Sequence, residues 1–251
     1  MGFFSNLFKT KLKKQTNNNT VVVPSEVEKL YFIEHALNSL LKENRYIAKS
    51  DYRKLVLDFS EMDKHFLVIR ESGIMQEYCR KYLVDFDKTM LAINTLEKIE
   101  GLVDIHNKEY IAKTKISEKS YLDNILKSID PNIILDENQR EVVLTDEDYC
   151  LVIAGAGAGK TTTVAAKVKY LVEKKNVNAK QILVISFTNK AVEELQDKIN
   201  KSLSIDCPIT TFHSAGNAII RKRTDQKLNI VDSSKLYYVL MDYFRGSLLK
   251  K

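Results

Sequence analysis

The sequence predicts an α/β chain, with an incomplete parallel sheet preceded by an α-helical N-terminal domain. Three short apolar runs, at 149–154, 182–187 and 209–212, alternate with stretches of helical periodicity. Strands alternating with such helices imply a parallel sheet with right-handed crossovers. Residues 25–130 instead read almost wholly as helix. A count of 8 Gly and 3 Pro in 251 residues agrees with long helices and few turns.

In chain order, residues 1–24 form a basic amphipathic terminus and a polar linker. Phe3, Phe4, Leu7, Phe8 and Leu12 are joined to four lysines, as in a segment on an anionic membrane surface or a short docking helix. The stretch lacks a secretory signal's long apolar core and cleavage site, and Asn6 stands where a myristoylation signal wants Ser or Thr. The polar run 15–20 ends near Pro24. In the helical domain, 25–130, one stripe holds Leu30, Ile33, Leu37, Leu40 and Leu41. A second holds Leu83, Phe86, Met90 and Ile93. A third, Leu122, Ile125, Leu126 and Ile129, precedes a stop at Pro131. Residues 56–70 fit helix or strand.

Residues 131–223 carry the sheet. Asp136 is placed to cap a helix through Val143 bearing Gln139 and Arg140. The acidic run Asp146, Glu147 and Asp148 lies at the amino end of the first strand, away from the carboxyl ends where ligands of open α/β sheets bind, and reads as a turn. The run 149–154 reads as a buried parallel strand. Behind it come Ala154, Gly155, Ala156, Gly157, Ala158, Gly159, Lys160, Thr161 and Thr162, then a helix with Val164, Ala165, Val168, Leu171 and Val172 on one face. Strand, glycine-rich loop and helix N-terminus form the geometry that holds phosphates by backbone amides and a helix dipole. Lys160 would reach the β- and γ-phosphates, and the Thr161 hydroxyl would sit on Mg²⁺. The strict pattern wants Gly at 154, where this chain has Ala154. Carboxyl ends of all three strands would share one rim with the phosphates. Residues 224–251 begin a further helical segment rich in Lys and Arg. Asp232 ends a short strand-like run, but no Glu follows it, so it reads as a helix cap rather than a magnesium-binding carboxylate.

Composition narrows the class. No run of about 18 apolar residues exists, so no membrane span is expected. Cys79, Cys150 and Cys207 are far apart and read as free thiols of a cytoplasmic protein. The four histidines are scattered, which leaves no metal spacing. A net charge of +6 fits nucleic-acid binding, but the excess is modest. From the residues alone, Phe187 and Phe212 also fit core aromatics, and His213 a capping or surface histidine.

The segments LDENQREVV, AGAGAGKTTT, ILVISFTNKAVEEL and TTFHS together resemble the first motifs of superfamily 1 DNA helicases of the UvrD/Rep type. The helical region ahead of them resembles the DNA helicase IV branch in character. The resemblance implies a RecA-like P-loop NTPase sheet that binds ATP with Mg²⁺. It implies that Gln139 reads the adenine edge. It further implies that Phe187, Thr188 and Asn189, with Thr211, Phe212 and His213, contact single-stranded DNA or a single/double-strand junction. The family's Asp-Glu strand and second motor domain have no counterpart in residues 1–251. The resemblance therefore implies the ATP-binding N-terminal portion of a DNA helicase, or alternatively an ATP- and DNA-binding module completed by a partner chain. A nucleotide kinase would need a lid and an acceptor site, and neither is visible.

Overall fold

The computed structural model describes residues 15–16, 19–20, 23–224 and 237–243. The expectations for residues 1–14 and for Asp232 lie outside the described residues. Two compact units are present, one from the described residues of Met1–Ile125 and Ile134–Thr163, the other from Leu126–Ile133 and Val164–Lys251.

In the first unit, β1 (Gln15–Thr16) and β2 (Asn19–Thr20) form a minimal antiparallel ribbon where a linker was expected. Six helices follow: α1 (Ser25–Leu40), α2 (Lys49–Glu71), α3 (Met75–Lys81), α4 (Phe86–Leu96), α5 (Ile99–Ser117) and α6 (Lys119–Asn124). Helix α1 packs on α2 and α4. Their core includes Leu30, Leu37, Phe66 and Ile93, all fully buried. The ambiguous stretch 56–70 is helix, inside α2.

Two sequence stripes do not survive as drawn. Leu83 lies outside α4, at φ 53°. The amide of Leu83 donates to the carbonyl of Arg80 (3.3 Å) and that of Val84 to Cys79 (3.0 Å), so Leu83 takes the left-handed position that closes α3. Asp85 then caps α4 by accepting from the amide of Lys88 at 2.9 Å. The third stripe also breaks early, since α6 ends at Asn124 and turns follow before Pro131. Its residues Leu122, Ile125 and Leu126 are nonetheless buried.

Helix α7 (Glu137–Leu144) starts at Asp136 as expected. The run 149–154 does not form the expected buried strand. Tyr149, Leu151 and Ile153 are 93, 87 and 90% exposed, and they join no sheet among the described residues. A strand is stable only when a neighbour takes up its backbone groups, and among the described residues this run pairs with none. Helix α8 (Lys160–Glu173) follows the glycine-rich loop.

In the second unit, β3 (Val184–Ser186) and β4 (Ile209–Thr211) pair in parallel, with Val184 opposite Ile209 and Ser186 opposite Thr211. Helix α9 (Asn189–Gln196) packs against both strands and continues as a π-helical turn, Asp197–Ser202. Leu195 and Ile199 point inward as expected. Helix α10 (Phe212–Thr224) follows β4, and residues 237–243 form a helical segment, α11. On α8 the inward face is rotated from the expected one. Ala165, Ala166, Val168 and Tyr170 are buried, whereas Val164 is exposed. Among the described residues, no helix is long and apolar enough to cross a membrane.

Phe66 fills the helical core, whereas Leu57 on the same helix is exposed. Phe66→Ala is expected to cost about 3–5 kcal/mol, and Leu57→Ala roughly 0.5 kcal/mol or less. Urea unfolding monitored by helical circular dichroism checks the contrast.

Candidate phosphate-binding loop and aromatic rim

The loop is built from both sides. On one side, Asp136 and Gln139 satisfy each other across the first turn of α7. The amide of Gln139 donates to Asp136 Oδ1 at 2.8 Å, and the amide of Asp136 donates to Gln139 Oε1 at 3.0 Å. That reciprocal cap fixes the Gln139 side chain. Its Nε2 then donates to the carbonyl of Ala158 in the loop at 3.4 Å. One N–H and one lone pair of the amide remain for a ligand.

On the other side, the loop turns through two left-handed glycines, Gly157 at φ 75° and Gly159 at φ 74°. The amide of Ala158 closes a turn on the carbonyl of Gly155. A Cβ added at Gly155 or Gly157 would meet nothing within 4 Å, so that face is open to an incoming group. A Cβ at Gly159 would lie 2.6 Å from Gln139 Nε2. Gly159 therefore lets α7 and the loop touch. Ala154 is not among the left-handed residues, so it has the ordinary backbone that lets alanine stand where the strict pattern has glycine.

Lys160 opens α8. Its ammonium donates to the carbonyls of Gly155 (2.6 Å) and Ala154 (3.2 Å), which holds it across the loop. Thr161 and Thr162 are half-buried in the first turn of α8. First-turn amides have no intrahelical acceptor, and the positive end of the helix dipole adds to them. Loop amides, an ammonium and the Thr161 hydroxyl together make a receptor for a polyanion of phosphate size.

The other expected residues gather in the second unit, at the carboxyl ends of β3 and β4. Phe187 and Phe212 directly follow the register partners Ser186 and Thr211, and they are 86 and 70% exposed. They are surface aromatics, not core. Adjacent strands lie about 4.8 Å apart, so the two rings leave one rim from neighbouring positions. Thr188 caps α9, its hydroxyl accepting from the amide of Ala191 at 3.2 Å. Thr211 caps α10 in the same way, accepting from the amide of Ser214 at 3.2 Å. Asn189 opens α9 and is exposed, as is His213, whose ring meets Phe212 edge-on at 6.4 Å. Exposed flat rings flanked by polar groups suit stacking of unpaired bases.

Two residues near the loop were given no role by the sequence reading. Thr163 is buried, and its hydroxyl donates to the carbonyl of Gly159 at 3.0 Å. Arg140, on α7, is buried. Its Nε donates to the carbonyl of Leu135 (2.9 Å), and its guanidinium pairs with Asp123 at 2.6 Å. The run of three threonines hinted at the first. Nothing in the spacing announced the Asp123 partner.

Residues 135–241 match the family model described as UvrD/REP helicase N-terminal domain. A probable DNA helicase of Mycoplasma pneumoniae is 36% identical over 121 residues, 46% of this chain and 22% of that protein. The ATP-dependent DNA helicase PcrA of Staphylococcus aureus is 31% identical over 120 residues, 45% of this chain and 16% of its own length. A probable DNA helicase II homolog of Mycoplasma capricolum is 37% identical over 91 residues, 35% of this chain and 13% of that protein. The matched part thus spans less than a quarter of these relatives.

Gly159→Ala is expected to destabilise the first unit by about 1–2 kcal/mol through its left-handed backbone alone, with displacement of Gln139 besides. Gly155→Ala, with open space around it and no left-handed φ, is expected to leave stability unchanged. Thermal unfolding of the two variants checks this.

Proposed function

We propose that this chain, whose residues 135–241 match the UvrD/REP helicase N-terminal domain, supplies the ATP-binding part of an ATP-dependent DNA helicase. In the whole enzyme, ATP hydrolysis would drive movement along single-stranded DNA and strand separation. The observation that carries this reading is the glycine-rich loop closed by Gln139, opening α8 with the Lys160 ammonium held across it. ATP with Mg²⁺, when bound, supplies the phosphoryl-transfer free energy.

The chain's own residues would divide the work as follows. Amides of residues 155–161 receive the phosphate oxygens, and Lys160 leaves the carbonyls of Ala154 and Gly155 for them. The remaining N–H and lone pair of Gln139 meet the adenine edge. Thr161 offers one oxygen to Mg²⁺. Among the described residues no three His, Cys, Asp or Glu side chains converge on a metal site. Phe187 and Phe212 stack bases of single-stranded DNA or of a single/double-strand junction. Thr188, Asn189, Thr211 and His213 contact its backbone.

A second reading is favoured by the exposed run 149–153. Among the described residues its backbone pairs with no strand, and strands that took it up would complete the sheet. They would come from a C-terminal helicase half or, in a stand-alone ATP- and DNA-binding module, from a partner chain.

Lys160→Ala is expected to abolish binding of a fluorescent ATP analogue while leaving the circular dichroism unchanged; full binding by this variant overturns the loop assignment. Phe187→Ala and Phe212→Ala should each weaken oligonucleotide binding by about 1–3 kcal/mol, the worth of one stacked base. Residues 1–251 alone should hydrolyse ATP very slowly, because an arginine finger is worth about 10³–10⁵ in rate. Steady, DNA-stimulated turnover by this chain alone contradicts that expectation.

A further inference from the structure

We propose that the helical region is a brace that positions the glycine-rich loop, with Glu147 and Asp148 as its positioning residues. The inference rests on the reading of residues 155–161 as a nucleotide loop. It starts from a defect in α2. That helix has 23 residues and alanine, Ala48, at its N-cap, with no side-chain cap of its own. First-turn amides without acceptors destabilise a helix. Here the acceptors come from 98 residues away. The amide of Lys49 donates to Glu147 Oε1 (2.9 Å) and that of Ser50 to Asp148 Oδ2 (2.7 Å). The Ser50 hydroxyl donates to Asp148 Oδ1 at 2.8 Å. Both carboxylates also sit at the positive end of the helix dipole.

The ground beneath this contact is firm. Asn107 on α5 bonds both ways to the backbone of Ile47, each at 2.8 Å. His106 on α5 reaches the carbonyl of Arg45 at 2.9 Å. Arg45 in turn pairs with Asp51 on α2 at 2.6 Å. Tyr46 donates to Glu147 Oε2 at 3.4 Å. Burial, and then the Glu147 carboxylate, pushes the Tyr46 hydroxyl up to about 12, so it remains a donor at neutral pH.

Directly after this anchor the chain runs free. Among the described residues, the backbone of 149–153 makes no hydrogen bond. Six extended residues reach about 20 Å, so a loop tied at one end only would sweep a large volume. The other end is tied through Gln139 and Lys160. Helix α7, which bears Gln139, is itself held to the helical region. Lys115 on α5 approaches Glu137 (3.5 Å) and Glu141 (3.4 Å), and Arg140 pairs with Asp123. The loop and its leading segment are thus suspended between two attachments to one helical scaffold. A loop that must aim several amides at one phosphate binds more tightly when it is ordered beforehand.

The test uses the whole chain with a fluorophore on Cys150, which is exposed while Cys79 and Cys207 are buried. In Glu147→Ala/Asp148→Ala the anisotropy of the label should fall, and a fluorescent ATP analogue should bind about fivefold more weakly, the worth of one lost cap. Glu147→Gln/Asp148→Asn keeps acceptor oxygens and should restore both. Ile69→Val, which loosens the helical core away from the contact, should move neither. If the double alanine variant does not fold, Asp148→Ala alone should give the same changes at smaller amplitude. Unchanged anisotropy in the alanine variants overturns the brace, as does a fall in anisotropy with wild-type nucleotide affinity. Absence of ATP binding by the unaltered chain would remove the proposed function, and the anisotropy comparison would still decide the brace.

Discussion

Backbone hydrogen bonding sets the terms for the second half of this chain. Each peptide brings a donor and an acceptor that need partners once water is excluded. Strands β3 and β4 meet that need for three residues each, by pairing with one another. Among the described residues the run 149–153 pairs with no strand, and it stays open to water together with its apolar side chains. The two phenylalanines and the helix caps at the strand ends owe their common rim to the one pairing that does form. The glycine-rich loop has had to find support elsewhere.

That support is helical. A sheet would normally hold a phosphate loop through the strand that leads into it. Here α7 reaches the loop with a side-chain amide, and the acidic turn before the loop docks on the start of α2. The interactions involved are short, local at the loop and very distant in sequence at the anchor. Carboxylates that read as an ordinary turn gain their meaning from an alanine about a hundred residues earlier.

The legible parts of this architecture were those governed by nearby residues. Asp136 and Gln139 stand three apart before an apolar run, which is a capping box in any context. The strand ends at Phe187 and Phe212, and the parallel pairing between β3 and β4, followed from alternation of apolar runs with helical periodicity. Leu83 was misread because a left-handed leucine costs energy that only the closing geometry of α3 explains. Periodicity alone also placed a strand at 149–154. It measured the apolar character correctly but carried no information about whether a neighbouring edge exists. Arg140 with Asp123, and Ser50 with Asp148, are tertiary pairs, and no single-sequence pattern encodes their distance.

Gln139 serves two masters. Its amide completes the start of α7 and also rests on the loop, with only half of its bonding capacity left over. Any ligand that recruits that remainder pulls on a group already committed to folding. If Gln139 reads a base as proposed, base recognition and helix initiation would be a single variable at this position. A purine-selectivity change traced to Gln139 would therefore carry a signature in the unfolding of α7.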